Sequence, residues 1–494
     1  MKTNRYVVKI LSTFAALLLM NTVIWARKAK TKSVPPASTN IFEIRNIEGW
    51  TVYLKKQDLK EYLVEMTDAI EHLQNQLYQI RLTVTAPAVA IMQQQVPIWM
   101  EYDAEPGGLS FHPSYKWLLQ RGYASPEGLT SLISNCRAKN FTRSSLHQPW
   151  VILHEMSHGY DFLYLGQGKH YSIPRIEAAY ESAKKSGTYE SVLCRYSKGA
   201  KHYAITNKME YFAENSEAYF GTNDFYPFVR AELKEHDPNM YTLLQDLWGV
   251  DIKRQVRETE SLVKFMDSQN DQATIAAADK RKAYVPTCEY EKRQIEAWTV
   301  YVSPRLIQAK AYGDEICKLL RYKLHLVKRY MPDKALKQLQ TVPIWLEYDS
   351  QAIPYMTYHT SEEKLKAGNL NPDKLHAVEI GNAENFYRWQ NLQQFMILNQ
   401  LARAYYHRFL GDGIGKVKTA WQKAVKSGRY DSVLRFDGRH VRHPALNSPL
   451  EYFAEMTESY FGVNDHYPFL QFETRQHDRE TCQLLAELWG GKAK

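Results

Sequence analysis

His154, Glu155 and His158 stand in the stretch "WVILHEMSHGYDF" at the spacing His-Glu-x-x-His. On an α-helix, residues four apart lie on one face, one turn above the other. Two imidazoles so placed can share one metal ion, and Glu155 projects beside them toward water on that ion. The donor set suits zinc, Zn2+, and the chemistry is hydrolysis with Glu155 as general base. A catalytic zinc site needs a third protein ligand and one open position.

The third ligand is not supplied by the metzincin pattern, because Asp161 and Tyr164 occupy the places of its glycine and third histidine. A downstream carboxylate is the remaining option. In "YAITNKMEYFAENSEAYF", residues 203–220, Glu210, Glu214 and Glu217 recur three or four apart on one helix face beside Tyr211, Phe212, Tyr219 and Phe220. A solvated acidic face is the ordinary meaning of such spacing. Here the aromatics imply partial burial, and a buried carboxylate needs a partner such as a cation. Spacing alone leaves all three glutamates open.

His-Glu-x-x-His followed downstream by Tyr-x6-Glu-Tyr-Phe-Ala-Glu resembles the catalytic domain of anthrax lethal factor and the related Pro-Pro endopeptidases, over residues 145–220. The resemblance implies that His154, His158 and Glu210 bind zinc and that Glu155 is the base. It also implies that Tyr203 donates a hydrogen bond to the developing oxyanion and that Glu214 stands behind the ligands, orienting a histidine. In a chain with 34 tyrosines, packing is the plain alternative for Tyr203. The rest of the unit carries no such match, so no substrate preference follows. His112 and His202 are read as surface or core residues, and "GQGKH" at 166–170 as a turn.

The elements that must position these residues occur twice. "WTVYLKKQDL" at 50–59 is repeated as "WTVYVSPRLI" at 298–307, and "VPIWMEYD" at 96–103 as "VPIWLEYD" at 342–349. "EYFAENSEAYFGTNDFYPF" at 210–228 returns as "EYFAEMTESYFGVNDHYPF" at 451–469. The offset stays between 241 and 248 residues, so the reading is of two copies of one domain. In the second copy Asn399, Gln400 and Arg403 replace His154, Glu155 and His158, and Pro444 replaces Tyr203; Glu451 and Glu455 remain opposite Glu210 and Glu214. Amides are poor zinc ligands, and Arg403 puts a fixed charge where a cation should sit, so a degenerate unit with an Arg403–Glu451 pair is expected. Core packing explains the retained segments; the functional alternative is a second domain that docks on the first and positions substrate.

Each copy reads as α+β, mostly helical with a small sheet, in a tandem zincin-like arrangement. One amphipathic helix carries Leu59, Leu63, Met66, Ile70, Leu73, Leu77 and Ile80. "VPIWMEYD" reads as a strand, at a sheet edge because of Pro97, and "LTSLIS" at 129–134 as a weaker one. "PWVILHEMSHGYDFLYLG" reads as a buried helix stopped by Gly166, and "EYFAENSEAYFG" as one stopped by Gly221.

The net charge of +9 resolves into +7 from residues 1–40, which hold no acid, and +2 from the rest. No basic stripe calls for nucleic acid. Lys2, Arg5 and Lys9 precede an apolar run ending at Ala26, the form of a secretory leader, and the run of about 17 residues is short for a membrane span. The expected organisation is therefore a leader at 1–26, a basic tail at 27–40, a catalytic domain at 41–250, a partly helical linker at 251–287 and a degenerate domain at 288–494. Five cysteines without a Cys-x-x-Cys pair suggest buried thiols with at most one or two bridges. The expectation is an exported, secreted or periplasmic, zinc peptidase acting on a peptide or protein substrate, without a stable membrane span once the leader is cleaved. The alternatives are a binding or scaffold protein with structural zinc, and a zinc amidase acting on cell-envelope peptides.

Overall fold

The computed structural model describes residues 41–103, 109–114, 132–195, 197–270, 284–350 and 352–491. The leader and basic tail, residues 129–131 and the segment 271–283 lie outside them. The fold is α+β with helices dominating. No described helix is long and apolar enough to cross a membrane.

In the first unit, β1 (Phe42–Ile47) and β2 (Trp50–Lys55) form an antiparallel hairpin. Next come β3 (Ile98–Glu101), β4 (Ser110–His112) and β5 (Leu132–Arg137), and the sheet runs β1-β2-β3-β5-β4. β3 pairs in parallel with both β2 and β5, so it is central, against the edge position expected from Pro97. Pro97 stands one residue before the strand, where its missing N–H removes no ladder hydrogen bond. The edges are β1 and β4, the latter antiparallel to β5.

The long amphipathic helix is broken at Tyr62, whose backbone leaves the helical region (φ −125°, ψ 48°); a short helix Lys56–Glu61 precedes α1 (Leu63–Thr83). α1 buries Met66, Leu73, Leu77 and Ile80 against the sheet residues Val52, Leu54, Ile98 and Met100 in one core. Then follow α2 (Ala138–Ser144), α3 (Val151–Tyr160), α4 (Lys208–Phe220) and α5 (Arg230–His236). α3 does not run as a regular helix to Gly166: its continuation, Asp161–Leu165, is a π-helical turn. α4 is started by Asn207, whose side chain accepts from the backbone N–H of Met209 and Glu210 at 2.9 and 3.0 Å. It ends at Gly221, where a Cβ would lie 1.8 Å from Cε2 of Trp150, the residue before α3. A missing side chain thus lets α3 and α4 close on each other.

α6 (Ile252–Asn270) fills the helical part of the expected linker, but it packs on the second unit. Leu262 belongs to the second core, and Phe265 meets the rings of Tyr355 and Trp389. That unit has β6 (Glu291–Ile295), β7 (Trp298–Val302), β8 (Ile344–Leu346), β9 (Met356–Tyr358) and β10 (Val378–Ile380), in the order β6-β7-β8-β10-β9. The order is that of the first sheet, position for position. Around it lie α7 (Lys310–Tyr330), α8 (Met396–Arg408), α9 (Pro449–Phe461) and α10 (Gln471–His477). The units meet through Phe228, Val229 and Ala231 of the first and Phe469, Leu470 and Phe472 of the second.

Candidate metal centre

α3 is buried along almost its whole length, and Ile152, Leu153, Met156 and Tyr160 anchor it in the core. That anchoring turns His154, Glu155 and His158 into a cleft of about 740 Å³ whose walls include Phe111, Phe141, Tyr171, Tyr203 and Glu210. Nε2 of His154 lies 3.2 Å from Nε2 of His158 and 3.0 Å from Oε2 of Glu210, and the third edge, His158 Nε2 to Glu210 Oε2, is 3.3 Å. Three donors each 2.0–2.1 Å from a tetrahedral ion are spaced by about 3.3 Å. The triangle therefore fits a zinc ion, and the mixed imidazole–carboxylate donor set suits its preferences. His154, His158 and Glu210 come together as the sequence led one to expect.

Behind the triangle, Nδ1 of His154 donates to Oε1 of Glu217 at 2.7 Å, whereas Oε1 of Glu214 stands 3.4 Å away. The hydrogen bond to the histidine is thus made by Glu217, with Glu214, expected behind the ligands, beside it. Gln148 Nε2 holds the same Glu217 oxygen at 2.9 Å. Glu214 is buried alongside, and its backbone carbonyl accepts from the side chain of Asn223 at 2.9 Å. Nδ1 of His158 is buried with no hydrogen-bond partner among the described residues.

The charges follow from this packing. Burial opposes a proton on His154, but the carboxylates of Glu210 and Glu217 outweigh it and hold its pKa well above the usual imidazole value. Burial would raise the Glu210 carboxyl, yet the hydrogen bonds from His154 and His158 pull it far below the usual carboxylate range. The same carboxylates that favour a proton on His154 would favour a metal cation in its place.

Glu155 is held by a link the sequence does not announce: Oε2 accepts from the backbone N–H of Phe111, on edge strand β4, at 2.6 Å. Burial raises its carboxyl above the ordinary value, partly offset by His154 and His158 and by that N–H. Tyr203 opens the 3-10 turn Tyr203–Thr206 ahead of α4 and is 48% exposed at the cleft. Burial and the nearby Glu210 raise its phenol pKa, which keeps it a hydrogen-bond donor. His202, beside it, is a core residue whose Nδ1 accepts from Ala204 N at 3.0 Å; His112 bonds Ser110 Oγ at 2.8 Å and does not line the cleft. Tyr171, which lines the cleft, carried no sequence signal beyond its type.

The second unit keeps the frame and changes the chemistry. Gln400 Oε1 accepts from Tyr358 N at 2.9 Å, reproducing the Glu155–Phe111 link with a neutral amide. Asn399 Nδ2 donates to Glu455 at 3.0 Å and to Glu458 at 3.1 Å. Arg403 donates from both terminal nitrogens to Glu451, as expected, and from Nε to Asn399 at 3.0 Å. The cationic role is taken by a side chain.

Among the described residues Cys194, Cys288, Cys317 and Cys482 are free thiols. Compared with protein-family models, with curated protein sequences and with solved structures, the chain matches nothing in any of the three.

Proposed function

We propose that the chain is a zinc-dependent peptidase whose reaction takes place in the first-unit cleft. The observation that carries this reading is the triangle of His154, His158 and Glu210, with edges of 3.0–3.3 Å, open to a cleft beside a tethered glutamate. Nε2 of each histidine and Oε2 of Glu210 would hold the ion, and Glu217 fixes the His154 tautomer that leaves Nε2 free to ligate. When bound, a zinc ion supplies Lewis acidity toward a carbonyl and lowers the pKa of water toward about 7.

Glu155 takes the proton of the attacking water. Its Oε2 is committed to Phe111 N–H, so Oε1 accepts the proton and hands it to the leaving amine. The tether also fixes the base against the edge strand, so it is oriented before substrate arrives. Tyr203 faces the same cleft as Glu210 and donates its hydroxyl proton toward the developing oxyanion. The second unit supplies no catalytic group.

The test is metal content per chain measured together with hydrolysis of a peptide library and a panel of cell-envelope substrates. One zinc per chain, with peptide hydrolysis abolished by a chelator and restored by zinc, supports the reading. Zinc that stays bound while no peptide bond is cut removes it in favour of a structural ion. Cleavage confined to envelope substrates makes the enzyme an amidase.

A further inference from the structure

A second cavity, of about 340 Å³, lies between the two units and shares Asp224 with the catalytic cleft. Arginines reach it from both sides: Arg195 from the first unit, Arg329 and Arg475 from the second. Arg329 is half-buried at the end of α7 and donates from Nη1 to Nδ1 of His72 at 3.1 Å. Its Nη2 donates to the carbonyl of Thr142 at 3.0 Å and to Oγ of Ser145 at 3.2 Å. All three acceptors are neutral. Among the described residues Arg329 makes no ion pair, and burial depresses its pKa, opposed only by the neighbouring Tyr330 phenol and by no carboxylate. A guanidinium does not give up its proton, so among the described residues this charge stands without a carboxylate counter-charge.

The surrounding histidines register the same field. His72 and His325 are pushed down by burial and next by Arg329, and His147 by burial and next by Arg195 and Arg143. His325 is 8% exposed, and neither of its ring nitrogens finds a hydrogen bond. Glu71, 3.9 Å from its Nδ1, is exposed and lies outside the cavity lining. Among the described residues the only carboxylate that lines the cavity is Asp224, which burial raises to about 7.

We infer that this interunit cavity binds a small oxyanion, a phosphate or carboxylate group, on the guanidinium of Arg329 with Arg195 and Arg475 beside it. The planar fork of arginine matches either group, and a desolvated site strengthens the bond. The ligand comes either from free anion in solution or from the carboxyl terminus of a peptide. Arg329 also holds the end of α2, whose Phe141 and Ser144 line the catalytic cleft, so the bound anion sits against the far side of that wall.

Calorimetric titration of the full chain at fixed ionic strength tests this with three probes: inorganic phosphate, a short peptide with a free carboxyl terminus, and the same peptide amidated. The expected result is saturable one-to-one binding that Arg329→Gln weakens about thirtyfold or more. Phosphate binding without a difference between the two peptides identifies free anion as the source; loss of peptide affinity on amidation, shared by Arg329→Gln, identifies the terminus. Because Arg329 also braces the two units, the exposed Arg475→Gln provides a variant that leaves this brace in place, with several-fold weaker binding expected. The ring signals of His325 in the wild type should shift in step with occupancy. Absence of saturable binding, or unchanged affinity in the folded variants, overturns the inference. None of these readouts depends on hydrolysis, so the peptidase reading and this one fail separately.

Discussion

Arg403 and Glu451 form a two-pronged ion pair, Nη1 to Oε1 at 2.5 Å and Nη2 to Oε2 at 2.6 Å, on the helices that correspond to those of His158 and Glu210. The same interhelical gap is thus closed by a guanidinium in one unit and is shaped for a metal ion in the other. In the second unit the guanidinium places one positive charge against the carboxylate that begins the second helix of the pair, and in the first a bound zinc ion would place two. A half-buried ion pair of this kind roughly balances its own desolvation, so it keeps the helices together without adding much stability.

That equivalence predicts the outcome of His158→Arg. The new guanidinium should pair with Glu210, giving a folded protein whose melting point stays near that of the metal-free wild type, with zinc content falling from one per chain to none. Metal analysis and thermal denaturation check both halves. A variant that still carries one zinc per chain would place the ion elsewhere.

Glu155→Gln should fold and keep its zinc while hydrolysis falls by about 10²–10⁴-fold, the usual worth of a general base. The second unit shows why the fold survives: Gln400 holds the Tyr358 N–H at 2.9 Å in the same way. Activity at the wild-type rate would dismiss Glu155 as the base.

Among the three glutamates of α4, zinc affinity should rank their importance. Glu210→Ala removes a ligand and should cost the most. Glu217→Gln should weaken zinc about 10–100-fold, as loss of an orienting carboxylate does. Glu214→Gln should cost less than Glu217→Gln, because its oxygen stands 3.4 Å from His154 Nδ1 against 2.7 Å for Glu217. Competition titration with a chelator measures the order, and Tyr203→Phe should leave affinity unchanged while lowering turnover.

Stability should fall as the pH is raised, through Glu232 and Glu473. These buried carboxyls, one from each unit, act on each other while each accepts backbone N–H groups at the start of its own helix, Glu232 from Phe228 at 2.8 Å and Glu473 from Phe469 at 2.8 Å. Burial, then the other carboxylate, raises Glu232, and burial raises Glu473. Both folded pKa values lie above the unfolded ones, so the contribution is full below about 4.3 and is lost as pH rises through the raised values. Glu473→Gln can still accept the Phe469 and Leu470 N–H groups while removing the second charge, and should flatten this decline in denaturant midpoint. An equally steep decline in that variant would assign the effect to other groups.

The sequence made part of this site legible and left part of it hidden, for definite reasons. His154 and His158 follow from helical period, because four residues make a little more than one turn and burial of Ile152 and Met156 fixes which face points inward. Glu214 and Glu217 could not be ranked that way, since both share a face with Glu210; only the approach of α3 decides which oxygen meets Nδ1. The Phe111 tether joins positions 44 residues apart through a backbone group that every residue but proline carries, so no side-chain pattern marks it. Pro97 misled because a proline reports only on its own N–H, and that N–H lies just outside the strand. The Arg403–Glu451 pair was readable because both charges were visible once the repeats were aligned.

The contact at Gly221 bears on the metal in a way that concerns tolerance. A metal–ligand bond permits deviations of a few tenths of an ångström, whereas a methyl group at Gly221 would meet Trp150 at 1.8 Å. Relieving that overlap by moving α4 would displace the helix that carries Glu210. The approach of α3 to α4, and with it the span of the proposed metal site, thus depends on the absence of one carbon atom at Gly221. The second unit carries the matching glycine, Gly462, whose Cβ would lie 2.3 Å from Phe395. There the same spacing serves an ion pair, whose long arginine arm can adjust. Alanine at Gly221 should thus impair metal binding, while alanine at Gly462 should register chiefly as lost stability.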